Sequence, residues 1–151
     1  MNKNIYQQIQ LLFELIQGLI PIFMKNPDDV ASSNGNVAIC IIDTDGNVHG
    51  KMFGNDQLIS RRIYNIAWTK ASQAWITGMK TGEYERKVFN GEIDESICGI
   101  ETPDLVGWLG GQPITLNDGT NLAIGFSGFS GKSDLKIVEK AVETMNSIIT
   151  F

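Results

Sequence analysis

Apolar residues recur at alternating steps of four and three through the start of the chain: Ile5, Ile9, Leu12, Ile16, Leu19 and Phe23. That spacing marks one face of an α-helix, so a first helix is predicted over residues 5–24. Leu11, Phe13, Leu15, Ile20 and Ile22 lie off this stripe, more apolar surface than one packed face can cover. A second packing surface is expected, most simply another subunit, which makes the chain a homo-oligomer. Pro21 falls near the helix end, and Asn26-Pro27-Asp28-Asp29 with Ser32-Ser33-Asn34-Gly35 reads as turn-forming sequence that closes it.

The pattern then changes. Val37-Ala38-Ile39-Cys40-Ile41-Ile42 is an unbroken apolar run rich in β-branched residues, suited to a central strand covered on both faces. Asp45-Gly46 supplies a hairpin turn to a return strand over residues 47–53. The arrangement repeats as Pro113-Ile114-Thr115-Leu116, a turn at Asp118-Gly119, and a strand over residues 122–125. Two hairpins this far apart predict an antiparallel sheet. Between them the spacing predicts a helix over residues 58–78 and a polar segment, residues 81–90, containing a short helix. A last helix is predicted over residues 134–149, with Leu135, Val138, Val142 and Met145 on its apolar stripe. Residues 1–151 thus read as one domain of mixed α/β class, more strictly α+β.

Composition narrows the partners. Net charge is −5 and no Lys/Arg run forms a basic footprint, so neither nucleic acid nor an anionic membrane surface is expected to bind. Gln7, Gln8, Gln10, Glu14 and Gln17 interrupt the apolar N-terminal stretch as the core of a secretory signal would not be interrupted. The only cysteines, Cys40 and Cys98, form no C-x-x-C pair and sit in no His/Cys cluster. Reduced thiols, no metal site and a cytoplasmic location are expected.

Four short blocks, read in order, resemble the GlcG/HbpS-like family, which includes the C-terminal domain of the propanediol-utilisation protein PduO. They are Ile41-Ile42-Asp43-Thr44-Asp45-Gly46-Asn47, Ala67-Trp68-Thr69-Lys70-Ala71-Ser72-Gln73-Ala74, Gly110-Gly111-Gln112-Pro113-Ile114, and Gly125-Phe126-Ser127-Gly128 with Asp134 beyond. The resemblance implies a profilin-like antiparallel sheet of about five strands flanked by helices, higher oligomers and, for some members, haem binding. It also implies a histidine on the first helix as axial ligand, and residues 5–24 contain none. The sole histidine, His49, falls in the predicted second strand. The cofactor is left open between haem and none, with Met24, Met52, Met79, a cysteine or a tyrosine as the other iron donors.

Lys70 is the most informative position. Steps from Ile63 through Ala67 and Lys70 to Ala74 put its ammonium on an apolar helix face, where it serves as base, Schiff-base former or anion anchor, or meets a structural carboxylate such as Asp43. Gly131-Lys132-Ser133 lacks the spacing of a phosphate loop, leaving a glycine-rich turn at a helix start capped by Ser133 or Asp134. Gly110, Gly111, Pro113, Gly128 and Asp134 are the remaining candidate ligand contacts. Glu83, Tyr84, Glu85, Glu101, Asp104 and Trp108 offer carboxylates beside aromatics, and His49 a possible general base. Trp68, Trp75, Trp108, Phe126 and Phe129 read as core or interface aromatics.

Three functions fit these residues. One is a protein that binds a hydrophobic, carboxylate-bearing small molecule, haem among the candidates, near Lys70 and the glycine-rich loops. Another is a cofactor-free lyase or isomerase using Lys70 with Asp43, another carboxylate or His49. The third is a non-catalytic accessory or scaffold subunit.

Overall fold

The computed structural model describes residues 4–100 and 107–149. Helix α1 (Ile5–Phe23) starts at Asn4, whose side chain accepts the Gln7 amide while the Gln7 side chain accepts the Asn4 amide, a reciprocal cap. The segment read as closing turns is instead a second helix, α2 (Pro27–Ser33). Asn26 caps it, Pro27 takes the first position, where no amide hydrogen is needed, and Asp28 and Asp29 face the positive helix end.

Strands β1 (Val37–Asp43) and β2 (Val48–Phe53) form the first hairpin, and α3 (Gln57–Thr77) and α4 (Thr81–Phe89) follow. The second hairpin is β3 (Gly111–Thr115) and β4 (Asn121–Ser127), and α5 (Gly131–Ile149) closes the chain. The sheet is antiparallel in the order β2-β1-β4-β3. Among the described residues it has four strands, one fewer than the resemblance implies, because the two hairpins supply all of them. As its unbroken apolar run requires, β1 is central and every residue in it is buried.

Period-two alternation gives the sheet two unlike faces. Ile39, Ile41, Ile124 and Phe126 point toward α1 and α5, joining Leu12, Ile16, Ile137 and Met145 in the main core. Off the α1 stripe, Leu11, Phe13, Leu15 and Ile20 are partly covered by that core, while Ile22 stays 53% exposed. No helix among the described residues is long and apolar enough to cross a membrane.

The opposite face is built from small residues. Strand register aligns Gly50, Cys40, Gly125 and Gly111 in one row across all four strands. Helix α3 lies on this row through Ala67, Ala71 and Ala74, which pack against Ala38, Cys40 and Ala123. A Cβ on Gly125 would run into the Ala67 carbonyl and come within 2.6 Å of the Ala71 nitrogen, and one on Gly111 would lie 2.7 Å from the Lys70 carbonyl oxygen. The absence of side chains along the row sets how close α3 comes.

Gly125→Ala should therefore lift α3 and cost about 1–3 kcal/mol or more, the usual range for overpacking. By contrast, a Cβ on Gly18, exposed within α1, meets nothing within 4 Å. Gly18→Ala should stabilise by about 0.4–1 kcal/mol through the unfolded chain. Chemical denaturation of both variants checks the pair of signs.

Candidate functional site

Lys70 sits on the flank of α3 that overhangs the end of β4, with its side chain only 3% exposed. Its ammonium donates to the Phe126 carbonyl at 2.9 Å and to Asp134 Oδ2 at 3.2 Å. Asp134, in the first turn of α5 and 3% exposed, accepts the Phe129 amide on its other oxygen at 2.9 Å. Lysine carries three hydrogens. Two find acceptors among the described residues.

The backbone must come close for this pair to form. Gly110 has φ +123°, and a Cβ there would strike the Phe126 carbonyl and lie 2.9 Å from Lys70 Nζ. The neighbouring segment is held by the Thr81 hydroxyl, which donates to the Trp108 carbonyl at 2.6 Å. Together these elements frame a cleft of about 480 Å³ bordered by Ile66, Trp108, Leu109, Phe129 and the Lys70–Asp134 pair. Trp108 is 63% exposed at its rim. Phe129 stacks on the buried Phe126, their ring centres 5.8 Å apart.

Burial governs the charges. It pushes the Asp134 carboxyl up to about 7, against the attraction and hydrogen bond of Lys70 and the Phe129 amide, while the nearby Asp29 carboxylate adds to the rise. Burial likewise lowers Lys70, an effect that Asp134 opposes. The cleft thus holds a proton donor or acceptor close to neutrality beside a desolvated amine, suited to anchoring an anion or moving a proton.

Asp29 is a site residue that sequence reading missed, because its segment was taken for a turn. It is fully buried on α2, accepts the Ser130 amide at 2.9 Å and the Ser133 hydroxyl at 2.7 Å, and so caps the start of α5 from across the fold. Ser133 therefore acts as a donor to Asp29. The signal was present: Asn-Pro-Asp-Asp is a helix start as much as a turn.

Asp43 does not meet Lys70, correcting the suggested pairing. It alternates onto the face of the sheet that α1 covers, where its Oδ2 lies 3.3 Å from His49 Nε2 and its Oδ1 accepts the Asp45 and Asn47 amides. Burial opposes its charge, but those amides and His49 together hold the carboxyl below its usual value. His49 packs edge-on against Tyr6 of α1. Lys70 reaches the sheet from α3 on the other face, so His49 and Lys70 are not brought together. Pro113 borders a separate cleft with Asp43, Trp75 and Ile114. Gly111 lies under α3, and Gly128 presses against Asn36 and Val37 between two residues, Ser127 and Phe129, that border the Lys70 cleft.

Of the acidic and aromatic candidates, Glu101 and Asp104 lie outside the described residues. Glu83 pairs with Lys87 at the surface, and Tyr84 is fully buried with its hydroxyl unpartnered among the described residues. Trp68 and Trp75 are roughly half exposed on α3, whereas Phe126 and Phe129 are core. Cys40 and Cys98 are free thiols, and burial pushes Cys40 up to about 11 although Tyr64 donates to it. Among the described residues, no three His, Cys, Asp or Glu side chains gather as a metal site.

Residues 27–143 match a family model described as haem degrading protein, HbpS-like. Several solved structures share the fold, among them the following three. The Klebsiella pneumoniae protein ORFY aligns over 97% of this chain and 97% of its own, at 18% identity and TM-score 0.71. A PduOC:haem complex aligns over 93% and 94%, at 20% identity and TM-score 0.64. A double mutant of Streptomyces reticuli HbpS aligns over 89% and 84%, at 17% identity and TM-score 0.60. At these identities the likeness is one of fold. No curated protein sequence matches the chain.

Lys70→Met leaves Asp134 buried without its cation and should cost about 3–5 kcal/mol near neutral pH. The sign with pH follows from the raised carboxyl. The folded chain keeps the Asp134 proton to a higher pH than the unfolded chain, so this group's contribution to stability falls as pH climbs from 3.8 to about 7. Without the ammonium the carboxyl rises further, so parent and Lys70→Met should lose stability in parallel below about pH 7 and the deficit of the variant should widen above it in denaturation curves.

Proposed function

The chain belongs to the HbpS-like family of haem degrading proteins, and from that premise we propose that it binds a small molecule with an apolar body and a carboxylate in the Lys70 cleft. The observation that carries this reading is a lysine held almost wholly out of water at the edge of an apolar cleft. The ligand's carboxylate accepts from the Lys70 ammonium, and its apolar body lies against Trp108, Leu109 and Phe129. Gly131, at the start of α5, brings the positive end of a helix to the same cleft.

Haem bound through its iron does not suit this cleft. None of the described residues bordering it is a His, Cys, Met or Tyr, and His49 lies across the sheet in contact with Asp43 and Tyr6. The proposed contact is with the carboxylate and apolar parts of a haem-class molecule. Asp134 regulates that contact. Ionised, it repels an incoming carboxylate and occupies Lys70; protonated, it does neither.

A second reading, a cofactor-free lyase or isomerase, is favoured by one observation: an acid raised to about 7 beside a desolvated amine is matched to proton transfer at neutral pH. In that reading Asp134, rather than Asp43 or His49, is the partner of Lys70.

Biliverdin, a tetrapyrrole with two carboxylates, and its dimethyl ester test the binding reading through quenching of tryptophan emission. Loss of one charge-assisted hydrogen bond predicts about tenfold or greater weakening for the ester and for Lys70→Met. Affinity should rise from about pH 8 to about pH 6, and Asp134→Asn should flatten that dependence. Equal binding of acid and ester, or affinity indifferent to Lys70→Met, would sink the proposal.

A further inference from the structure

Helix α3 has a second flank. Residues 57, 61, 64 and 65 lie on the side of the helix opposite Ile66 and Lys70, turned toward edge strand β2. There Met52, Asn55, Gln57, Ser60, Arg61 and Tyr64 border a cavity of about 520 Å³, larger than the Lys70 cleft and sharing no residue with it.

Its floor is fixed. Tyr64 lies flat on Gly50, where a Cβ would run into the ring, and its hydroxyl donates to the Cys40 thiol at 3.7 Å. The loop leading into α3 is also tied, because the Asp56 amide donates to the Asn36 side chain at 3.1 Å. Met52 and Tyr64 therefore present a positioned apolar surface that suits the face of a ring.

The polar groups around it are idle. Ser60 is only 6% exposed, yet its hydroxyl makes no hydrogen bond among the described residues. The exposed side-chain amides of Asn55 and Gln57 also lack protein partners there, and Arg61 pairs with no carboxylate among the described residues, Asp56 being taken up by the Leu58 and Ile59 amides. Hydroxyl, guanidinium and amides thus border one apolar-floored cavity, the guanidinium and amides from its solvent-exposed side.

We propose that this cavity is a second small-molecule site that takes an aromatic carboxylate. The ring lies on Met52 and Tyr64, and the carboxylate accepts from the Arg61 guanidinium, whose fork matches its two oxygens. The Ser60 hydroxyl donates to the same group, while Asn55 and Gln57 read polar substituents on the ring. One cation suits one negative charge, so a monoanion is favoured over a phosphate ester. The site stands independently of the Lys70 reading.

Titration of the full chain with 2-naphthoate, followed by amide ¹H–¹⁵N NMR, tests it. Shifts should concentrate in residues 50–65. Removing the charge from either side, with Arg61→Met or with neutral 2-naphthalenemethanol, should weaken binding by about tenfold or more. Because Arg61 is exposed, its variant should fold normally, and it should leave any naphthoate shifts around the Lys70 cleft unchanged. Shifts confined to the Lys70 cleft, shifts spread over the surface, or equal binding of acid and alcohol would each overturn the proposal, the last by reducing the cavity to an apolar crevice.

Discussion

The architecture depends on a helix lying against a sheet at a row of positions that carry almost no side chain. Gly50, Cys40, Gly125 and Gly111 meet in register across β2, β1, β4 and β3, and Ala67, Ala71 and Ala74 of α3 rest on them. Small-on-small packing buries little apolar area for each residue, so it is a poor source of hydrophobic stabilisation compared with the Ile- and Leu-rich layer under α1 and α5. What it provides is proximity. Both flanks of α3 border clefts for that reason: one lowers Lys70 onto the Phe126 carbonyl, and the other lays Tyr64 over Gly50.

Proximity also explains the electrostatics. A lysine carried so close to the sheet is held almost wholly out of water, and its charge is tolerable only with the Phe126 carbonyl and Asp134 as acceptors. Such buried pairs rarely add net stability, since desolvation offsets the attraction. The opposite shifts of the two groups, Asp134 upward and Lys70 downward, describe a pair held under desolvation stress. Under the proposed function, an anion entering the cleft would relieve that stress on the lysine once Asp134 takes a proton, which would tie ligand affinity to the burial that the close approach of α3 imposes.

Much of this was legible in the sequence wherever the information is local. The four-and-three spacing of Ile5 to Phe23 marks α1, the β-branched run before Asp45-Gly46 marks the central strand, and the placement of Lys70 among Ile63, Ala67 and Ala74 turns it inward. The partner of Lys70 was not legible. Asp134 lies 64 positions away, and no periodicity connects the two. The glycine row is non-local in the same way: four separate strands supply it, and only their register aligns them. Asp43 and His49 are the instructive case, because they straddle one short turn and hairpin alternation alone puts them on the same face. The Asn-Pro-Asp-Asp signal pointed equally to turn and to helix, and tertiary packing of Asp29 against the start of α5 decided it.

A carboxyl ¹³C NMR titration of the aspartates addresses the buried pair most directly. If Lys70 and Asp134 are enclosed together as described, the Asp134 resonance titrates near 7 and moves higher still when a carboxylate occupies the cleft. An Asp134 midpoint in the ordinary range for an exposed aspartate, unmoved by such a ligand, would contradict the account.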